Sequence, residues 1–243
     1  MNASPRTRHA RRLFEGIAPE YERMGAILGL GQDARWRRSM VERVRPIPGS
    51  WVLDVASGTG LVARELAARR NVRVVSLDPS EPMLRAGAAP ALEAGLDDRI
   101  RPVLGRAEEL PFGDGTFDAV TFTYLLRYVD DPEATVRGMA RLLRPGGTMA
   151  CVEFHIPTRG WERVGWLVYT RAVMPVIGAT ASPAWRHTGR FLGPSISDFY
   201  RRYPLPEQVR WWQQAGMTAV RTRVMSGGAG IVFVGRRRGP LDD

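Results

Sequence analysis

The sequence predicts an α/β fold: a mostly parallel seven-stranded sheet with helices on both faces, finished by an antiparallel hairpin. Two observations carry this. Short apolar runs rich in β-branched residues alternate with helix-like stretches between Trp51 and Phe154, the pattern of a wound parallel sheet. The last two runs, 219–225 and 231–235, are parted only by Ser226-Gly-Gly-Ala-Gly230. That link is too short for a crossover helix, so the two must pair antiparallel.

Taken in order, strands are expected over 51–55, 72–77, 100–104, 119–123 and 148–154. Helices are expected over 61–69, 81–94 and 133–143, the last stopping at Pro145-Gly146-Gly147, and another near 206–215. The 243 residues fit one domain. It divides into a basic arm (1–12), a helical lid (13–45), a core (46–156), a substrate-covering insertion (157–204) and a final helix and hairpin (205–238). The most apolar stretch, 161–181, is broken by Glu162, Arg163, Arg171 and Pro175, short of the about 20 uninterrupted apolar residues of a spanning helix. The polar N-terminus has no secretory pattern, so a cytoplasmic protein is expected.

Composition is that of a globular chain, 44% hydrophobic and 25% charged. The lone Cys151 excludes an internal disulfide, and His9, His155 and His187 are too far apart for compact zinc spacings, so no metal site is expected. Formal charge is +10, and all 35 basic residues are arginine. Nucleic-acid binders concentrate such charge in a patch or stripe. Here arginines are scattered from Arg6 to Arg238, clustering only at Arg6, Arg8, Arg11 and Arg12 and at Arg236, Arg237 and Arg238. No nucleic-acid partner is expected; the two end clusters are candidate contacts for an anionic membrane surface.

Ligands of wound sheets bind at the carboxyl ends of the strands. There the chain reads Asp54-Val-Ala56-Ser-Gly58-Thr59-Gly60, a tight turn that brings backbone close to a ligand. Asp78 follows 20 residues after Gly58, at the end of the second strand, where a carboxylate can accept ribose hydroxyls. Gly58-x-Gly60-x-x-Ala63 also fits a dinucleotide fingerprint. Asp54 argues against that: an acid inside the first strand suits a cationic amino group and opposes a pyrophosphate.

These residues, with Leu110-Pro-Phe, Phe117-Asp118 and Arg144-Pro-Gly-Gly147, resemble class I S-adenosylmethionine-dependent methyltransferases. Phe14-Glu-Gly-Ile-Ala-Pro-Glu-Tyr21, Leu126-Arg127, Pro175-Val-Ile-Gly178 and the Gly227-Gly228 hairpin narrow the resemblance to the ubiquinone/menaquinone biosynthesis C-methyltransferases, over nearly the whole chain. The resemblance implies the Rossmann-like class I methyltransferase fold and S-adenosyl-L-methionine as cofactor. By position it assigns Thr59, Asp78, Arg106, Ala107 and Thr123 to that cofactor, with Asp54, Ala56, Gly58, Gly60, Pro79 and Met83 beside them. Arg127 matches the family's active-site arginine, and Tyr21 the aromatic residue of its N-terminal lid.

Arginine stays protonated, so Arg127 suits phenolate stabilisation and water orientation rather than proton removal. His155, just beyond the fifth strand, has the right ordinary pKa for a base or else is a partly exposed loop residue, and Glu153 on the same side of the strand either orients it or caps a neighbouring loop. Trp161, Trp166, Tyr169, Met174, Trp185 and Phe191 suit a hydrophobic aromatic acceptor or polyprenyl tail, or else pack the insertion on the core or on a second copy in a homodimer. The expected reaction is C-methylation of demethylmenaquinol or a related prenylated quinol, with possible exposure of the enzyme to the inner membrane face. The chain departs from the family at Glu22, Gly25, Leu61, Arg106, Tyr128, His155, Gly189 and Phe191; those at Glu22, Gly25 and Tyr128 favour, as the alternative, a small-molecule C- or O-methyltransferase of a secondary-metabolite pathway.

Overall fold

The computed structural model describes Arg8 and residues 13–239. After two lid helices, α1 (Tyr21–Leu28) and α2 (Gln32–Val41), strands and helices alternate. They run β1 (Trp51–Val55), α3 (Leu61–Arg70), β2 (Arg73–Asp78), α4 (Glu81–Glu93), β3 (Ile100–Leu104), β4 (Phe117–Thr123), α5 (Pro132–Arg141) and β5 (Leu143–Phe154). The helices α6 (Gly160–Ala181), α7 (Pro183–Arg202) and α8 (Leu205–Gln214) follow, then β6 (Met217–Met225) and β7 (Gly230–Arg237). The sheet order is β3-β2-β1-β4-β5-β7-β6. β1 to β5 are parallel and β7 is antiparallel to both neighbours, as the short link before it requires.

Local chemistry sets the helix starts. Ser80 accepts from the amide of Met83 to cap α4, Asp131 accepts from that of Ala134 to cap α5, and proline occupies the first turn of both. One boundary differs from expectation. Helix α5 ends at Arg141, and Arg144-Pro-Gly-Gly147 lies inside β5 rather than ending a helix. Leu143 already pairs with Phe117, and a register shift between Phe117 and Ala119 absorbs the Pro-Gly-Gly segment as a bulge. Gly146 takes φ +78° there, open to glycine without strain.

Alternation along the strands sends Leu53, Val55, Leu77, Phe122 and Phe233 to one face, under α5 and α8 with Trp211 and Trp212. Val52, Val74, Ala119, Val152 and Val232 go to the other, under α2 and α3 with Trp36, Met40 and Leu66. A third, smaller cluster joins the lid to the insertion through Ile17, Met24, Leu28, Met174 and Trp185.

The insertion is a helical hairpin. Helix α6 runs unbroken for 22 residues, long and apolar enough by length and composition to cross a membrane, a possibility the interruptions in 161–181 had seemed to exclude. Its inner side is committed to the protein, and α7 packs tightly along it. A Cβ on Gly189 would lie 2.7 Å from the Met174 carbonyl oxygen, so only glycine allows this spacing. Within α6, Tyr169–Val173 form a π-helical turn.

The last strand meets the lid at Gly230, where a Cβ would fall 2.5 Å from the Trp36 ring. Trp36 is itself pinned, donating from Nε1 to Ser226 Oγ at 2.8 Å. Gly230→Ala should therefore lower stability by about 1–3 kcal/mol in urea unfolding; an unchanged midpoint would show that α2 does not press on β7 this closely.

Candidate active site

Parallel strands β1 and β4 diverge from their helices at the carboxyl edge of the sheet, opening a crevice. Residues 56–60 turn sharply there, with φ +54° at Ala56, +56° at Gly58 and +77° at Gly60. Asp78 holds the turn. Its Oδ2 accepts from the Gly58 amide and its Oδ1 from the Ser80 amide, each at 2.8 Å. Burial pushes its pKa up to about 6 against those two hydrogen bonds. Ala56, Gly58, Thr59, Asp78, Pro79, Met83, Ala107 and Thr123 all line the resulting cleft.

Three expected residues do not. Asp54 is 1% exposed beneath the turn, where its Oδ1 accepts from Thr121 Oγ1 at 2.8 Å. Burial raises its pKa to about 7, with the nearby Asp78 charge adding to the rise. Gly60 borders a separate pocket behind the turn, beside α4. Arg106 pairs with Glu108 at 3.5 Å and Glu109 at 3.7 Å and does not reach the cleft, because local carboxylates claim it first. Ser57, Val62, Ser80, Glu108, Leu125 and Val129 also line it, with Arg37 from α2; strand-end position marks the loops, but no residue-type signal singled these residues out.

Asp54 Oδ2, Ser57 Oγ and Thr59 Oγ1 are buried polar atoms without a hydrogen-bond partner among the described residues. Such atoms are rare in folded proteins and cluster here around one glycine turn. They fit a ligand with an amino group and hydroxyls, as the adenosyl and methionine parts of S-adenosylmethionine carry.

A second, aromatic cavity of about 270 Å³ adjoins the cleft. Phe14, Tyr21, Leu61, Tyr124 and Tyr128 wall both spaces. Trp166, Tyr169, Met174 and Trp185 line the cavity as the sequence suggested, whereas Phe191 stacks on Tyr128 from outside it and Trp161 is 75% exposed. Burial pushes the Tyr21 hydroxyl up to about 12, so it stays protonated near neutral pH, with Arg37 opposing the shift. Tyr124 sits at φ +55°, stacks on Phe154 at 4.3 Å and donates its hydroxyl hydrogen to Asp33. Asp33, which also pairs with Arg37, borders the cavity and was not expected from the sequence: its partner lies 91 residues away.

Arg127 is 9% exposed at the cavity wall. Its guanidinium lies 3.6 Å from the Glu153 carboxylate, donates to the Tyr128 hydroxyl at 3.0 Å and faces the Phe154 ring at 5.0 Å. Burial works against its charge, yet Tyr128 and Glu153 outweigh it and keep the pKa above the ordinary value. Burial raises Glu153 in turn, against the pull of Arg127.

His155 stands elsewhere. It is 6% exposed, with Nδ1 2.8 Å from the Gly228 carbonyl oxygen and its ring edge-on to Tyr200. It lines neither the cleft nor the aromatic cavity but a third space, a groove of about 1350 Å³, which Arg127, Tyr128 and Trp166 border as well. Burial lowers its pKa, partly countered by Gly228. Glu153 does not orient it, because the carboxylate accepts from the Leu126 amide and pairs with Arg127 instead. Of the terminal arginines, Arg6, Arg11 and Arg12 lie outside the described residues; Arg237 donates to the Ala215 carbonyl at 2.6 Å.

A model of the ubiE/COQ5 methyltransferase family matches residues 2–237. A Mycobacterium tuberculosis protein named demethylmenaquinone methyltransferase is 35% identical over 227 residues, covering 93% of this chain and 92% of its own. One of the same name from Listeria monocytogenes is 34% identical over 232 residues, covering 93% and 94%. Among solved structures, geranyl diphosphate C-methyltransferase from Streptomyces coelicolor, bound to S-adenosyl-L-homocysteine and a geranyl analogue, superposes with a TM-score of 0.70. At 13% identity, over 98% of this chain and 99% of that one, the likeness speaks for the fold.

The raised Asp54 carboxyl has a consequence for stability. The folded state holds its proton up to about pH 7, whereas the unfolded chain releases it near 3.8. Stability should therefore fall as pH rises between those values, by on the order of a few kcal/mol. Asp54→Asn should flatten that slope and raise the urea midpoint of the ligand-free protein at pH 8, while weakening S-adenosylmethionine binding by calorimetry. An unchanged slope would remove Asp54 as its source.

Proposed function

The chain belongs to the ubiE/COQ5 methyltransferase family, and on that premise we propose that it methylates a ring carbon of a prenylated quinol, with demethylmenaquinol the favoured acceptor. The protein is an S-adenosylmethionine-dependent methyltransferase. One observation supports this acceptor most: the glycine-turn cleft and an aromatic cavity share a wall of Phe14, Tyr21, Tyr124 and Tyr128, with a buried arginine beside it. The work is done in the cytoplasm, at the inner face of the membrane that holds such quinols.

The residues of the cleft suit S-adenosylmethionine. Asp78 is placed for the ribose hydroxyls, since each carboxylate oxygen keeps acceptor capacity beyond its one backbone amide. Ala107 and Thr123 both line the cleft, where Ala107 would meet the adenine edge and Thr123 the methyl end. Asp54, below the turn and outside the lining, keeps one carboxyl oxygen without a partner among the described residues, under the methionine end. When bound, the cofactor supplies a methyl group on a positively charged sulfur, whose leaving form is a neutral thioether.

The protein's share is alignment, exclusion of water and charge placement. The tyrosine wall separates the two spaces while letting a flat ring approach it from the cavity. A ring carbon becomes nucleophilic when the adjacent hydroxyl ionises, and Arg127, kept charged by Tyr128 and Glu153, stabilises the phenolate. The hydroxyl proton leaves before the transfer; afterwards the methylated carbon loses its proton and the oxygen regains one as the ring rearomatises, so one proton is released overall. Asp33 borders the aromatic cavity, which His155 does not, and so is the nearer carboxylate to receive a proton there. Both cavity carboxylates are paired, Asp33 with Arg37 and Glu22 with Arg64 at 2.7 Å, but Asp33 also joins the shared wall through Tyr124.

A second reading has one observation in its favour. Tyr128 replaces the family's asparagine and takes a hydrogen bond from Arg127, which narrows the polar contacts left for the acceptor. That favours a small aromatic acceptor of a secondary-metabolite pathway, methylated on carbon or oxygen.

Incubation with labelled S-adenosylmethionine and a panel of demethylated quinols should place the label on a ring carbon; label on oxygen, or only on other phenols, would favour the second reading. Replacing the pair together, Arg127→Ala with Glu153→Gln, avoids leaving a lone buried charge. It should cut turnover about 10²–10³-fold while cofactor affinity stays within a few-fold. Unchanged turnover would remove Arg127 from the reaction. His155→Gln should leave the pH profile of turnover intact and Asp33→Asn should depress it; the reverse outcome would restore the histidine as base.

A further inference from the structure

Outside the active site, the outer face of α6 is apolar and bare. Trp161, Val164, Val168 and Val176 are 75%, 61%, 55% and 65% exposed. They recur at helical spacing on one stripe, and residues 161 to 176 cover roughly 22 Å of helix. Exposed apolar stripes of that length are uncommon on a protein surface with nothing to meet.

The charge around this stripe is equally one-sided. No aspartate or glutamate occurs between Glu162 and Asp198. Arg163, Arg171, Arg186 and Arg190, on α6 and α7, are exposed, and none forms an ion pair among the described residues. Exposed arginines without an ion pair among the described residues occur elsewhere too, Arg35, Arg45, Arg221 and Arg223 among them, whereas Arg23, Arg85 and Arg137 each pair with a glutamate three or four residues away. What sets this hairpin apart is that its four free arginines lie on the two helices that carry or flank the apolar stripe.

We propose that the α6–α7 hairpin docks on an anionic lipid bilayer, with Trp161 and the valines in the interface and the four arginines on headgroup phosphates. An amphipathic helix with basic flanks lies in the plane of the interface. Crossing is opposed by the helix's other side, where Trp166, Tyr169 and Met174 wall the aromatic cavity. A second copy of this chain is a poorer occupant, since a twofold contact through this face sets arginine against arginine. The aromatic cavity, about 270 Å³, suits a ring, and the groove of about 1350 Å³ that shares Arg127, Tyr128 and Trp166 with it is bordered by Arg163, Arg171 and Arg190. A polyprenyl tail can run along that groove to the lipid while the same hairpin covers the ring, a role that rests on the quinol reading above.

Co-sedimentation of the full chain with phosphatidylcholine vesicles, with and without phosphatidylglycerol, tests the surface. Binding should require phosphatidylglycerol. Val168→Glu with Val176→Glu, and separately Arg171→Glu with Arg186→Glu, should each weaken it about tenfold or more. Turnover on a water-soluble, short-chain demethylated quinol should not change. Absent binding, binding indifferent to anionic lipid, or binding that survives both double substitutions (which would move the contact to the chain ends) overturns the proposal. So does a wild-type dimer that the valine substitutions split without affecting vesicle binding. Normal vesicle binding without methylation of any quinol overturns the quinol reading alone.

Discussion

Carboxylates buried at the ends of strands organise the working edge of this sheet. Asp78, at the end of β2, takes the amides of Gly58 and Ser80 and so fixes both the glycine turn and the start of α4. Glu153, near the end of β5, takes the amide of Leu126 and the charge of Arg127, fixing the loop after β4. Each group is costly to bury and is retained where backbone donors compensate it. The loops that form the cleft and the cavity wall are therefore held from below, by side chains that the sheet itself makes rigid.

From those two anchors the division of labour follows. On the cleft side, Asp54, Ser57 and Thr59 each leave a buried polar atom without a partner among the described residues around the glycine turn. Aromatic rings gather on the other, contributed by the lid, the loop after β4 and the insertion hairpin. The insertion adds no strand to the sheet. It is a cover whose inner face meets a ring and whose outer face meets solvent or lipid, and glycines such as Gly189 let its two helices lie close enough to act as one plate.

Much of this was legible in the sequence, for reasons that can be named. β1 and β3 matched residue for residue because apolar, β-branched runs bounded by turn residues admit few other readings. β5 began earlier than expected because Pro-Gly-Gly marks a turn and a bulge equally well, and only pairing with Phe117 distinguishes them. Periodicity put Glu153 and His155 on the same side of their strand, but could not say that Arg127 would take the first and Gly228 the second. Arg106 and Trp161 failed in a similar way: residue type was suitable, and neighbours or exposure decided otherwise. The Asp33–Tyr124 contact had no local signature at all, joining a lid helix to the end of β4.

The π-helical turn at Tyr169–Val173 carries a consequence of another kind. Widening the helix for one turn advances the phase of everything after it by roughly a quarter of a revolution. Trp166 before the widening, Tyr169 at its start and Met174 after it are thereby brought to one wall of the cavity. The turn acts as a gear tooth between the two halves of α6. Loss of a single residue within it would leave the amino acids of both halves untouched, yet rotate one half's chemistry away from the ring it was built to meet.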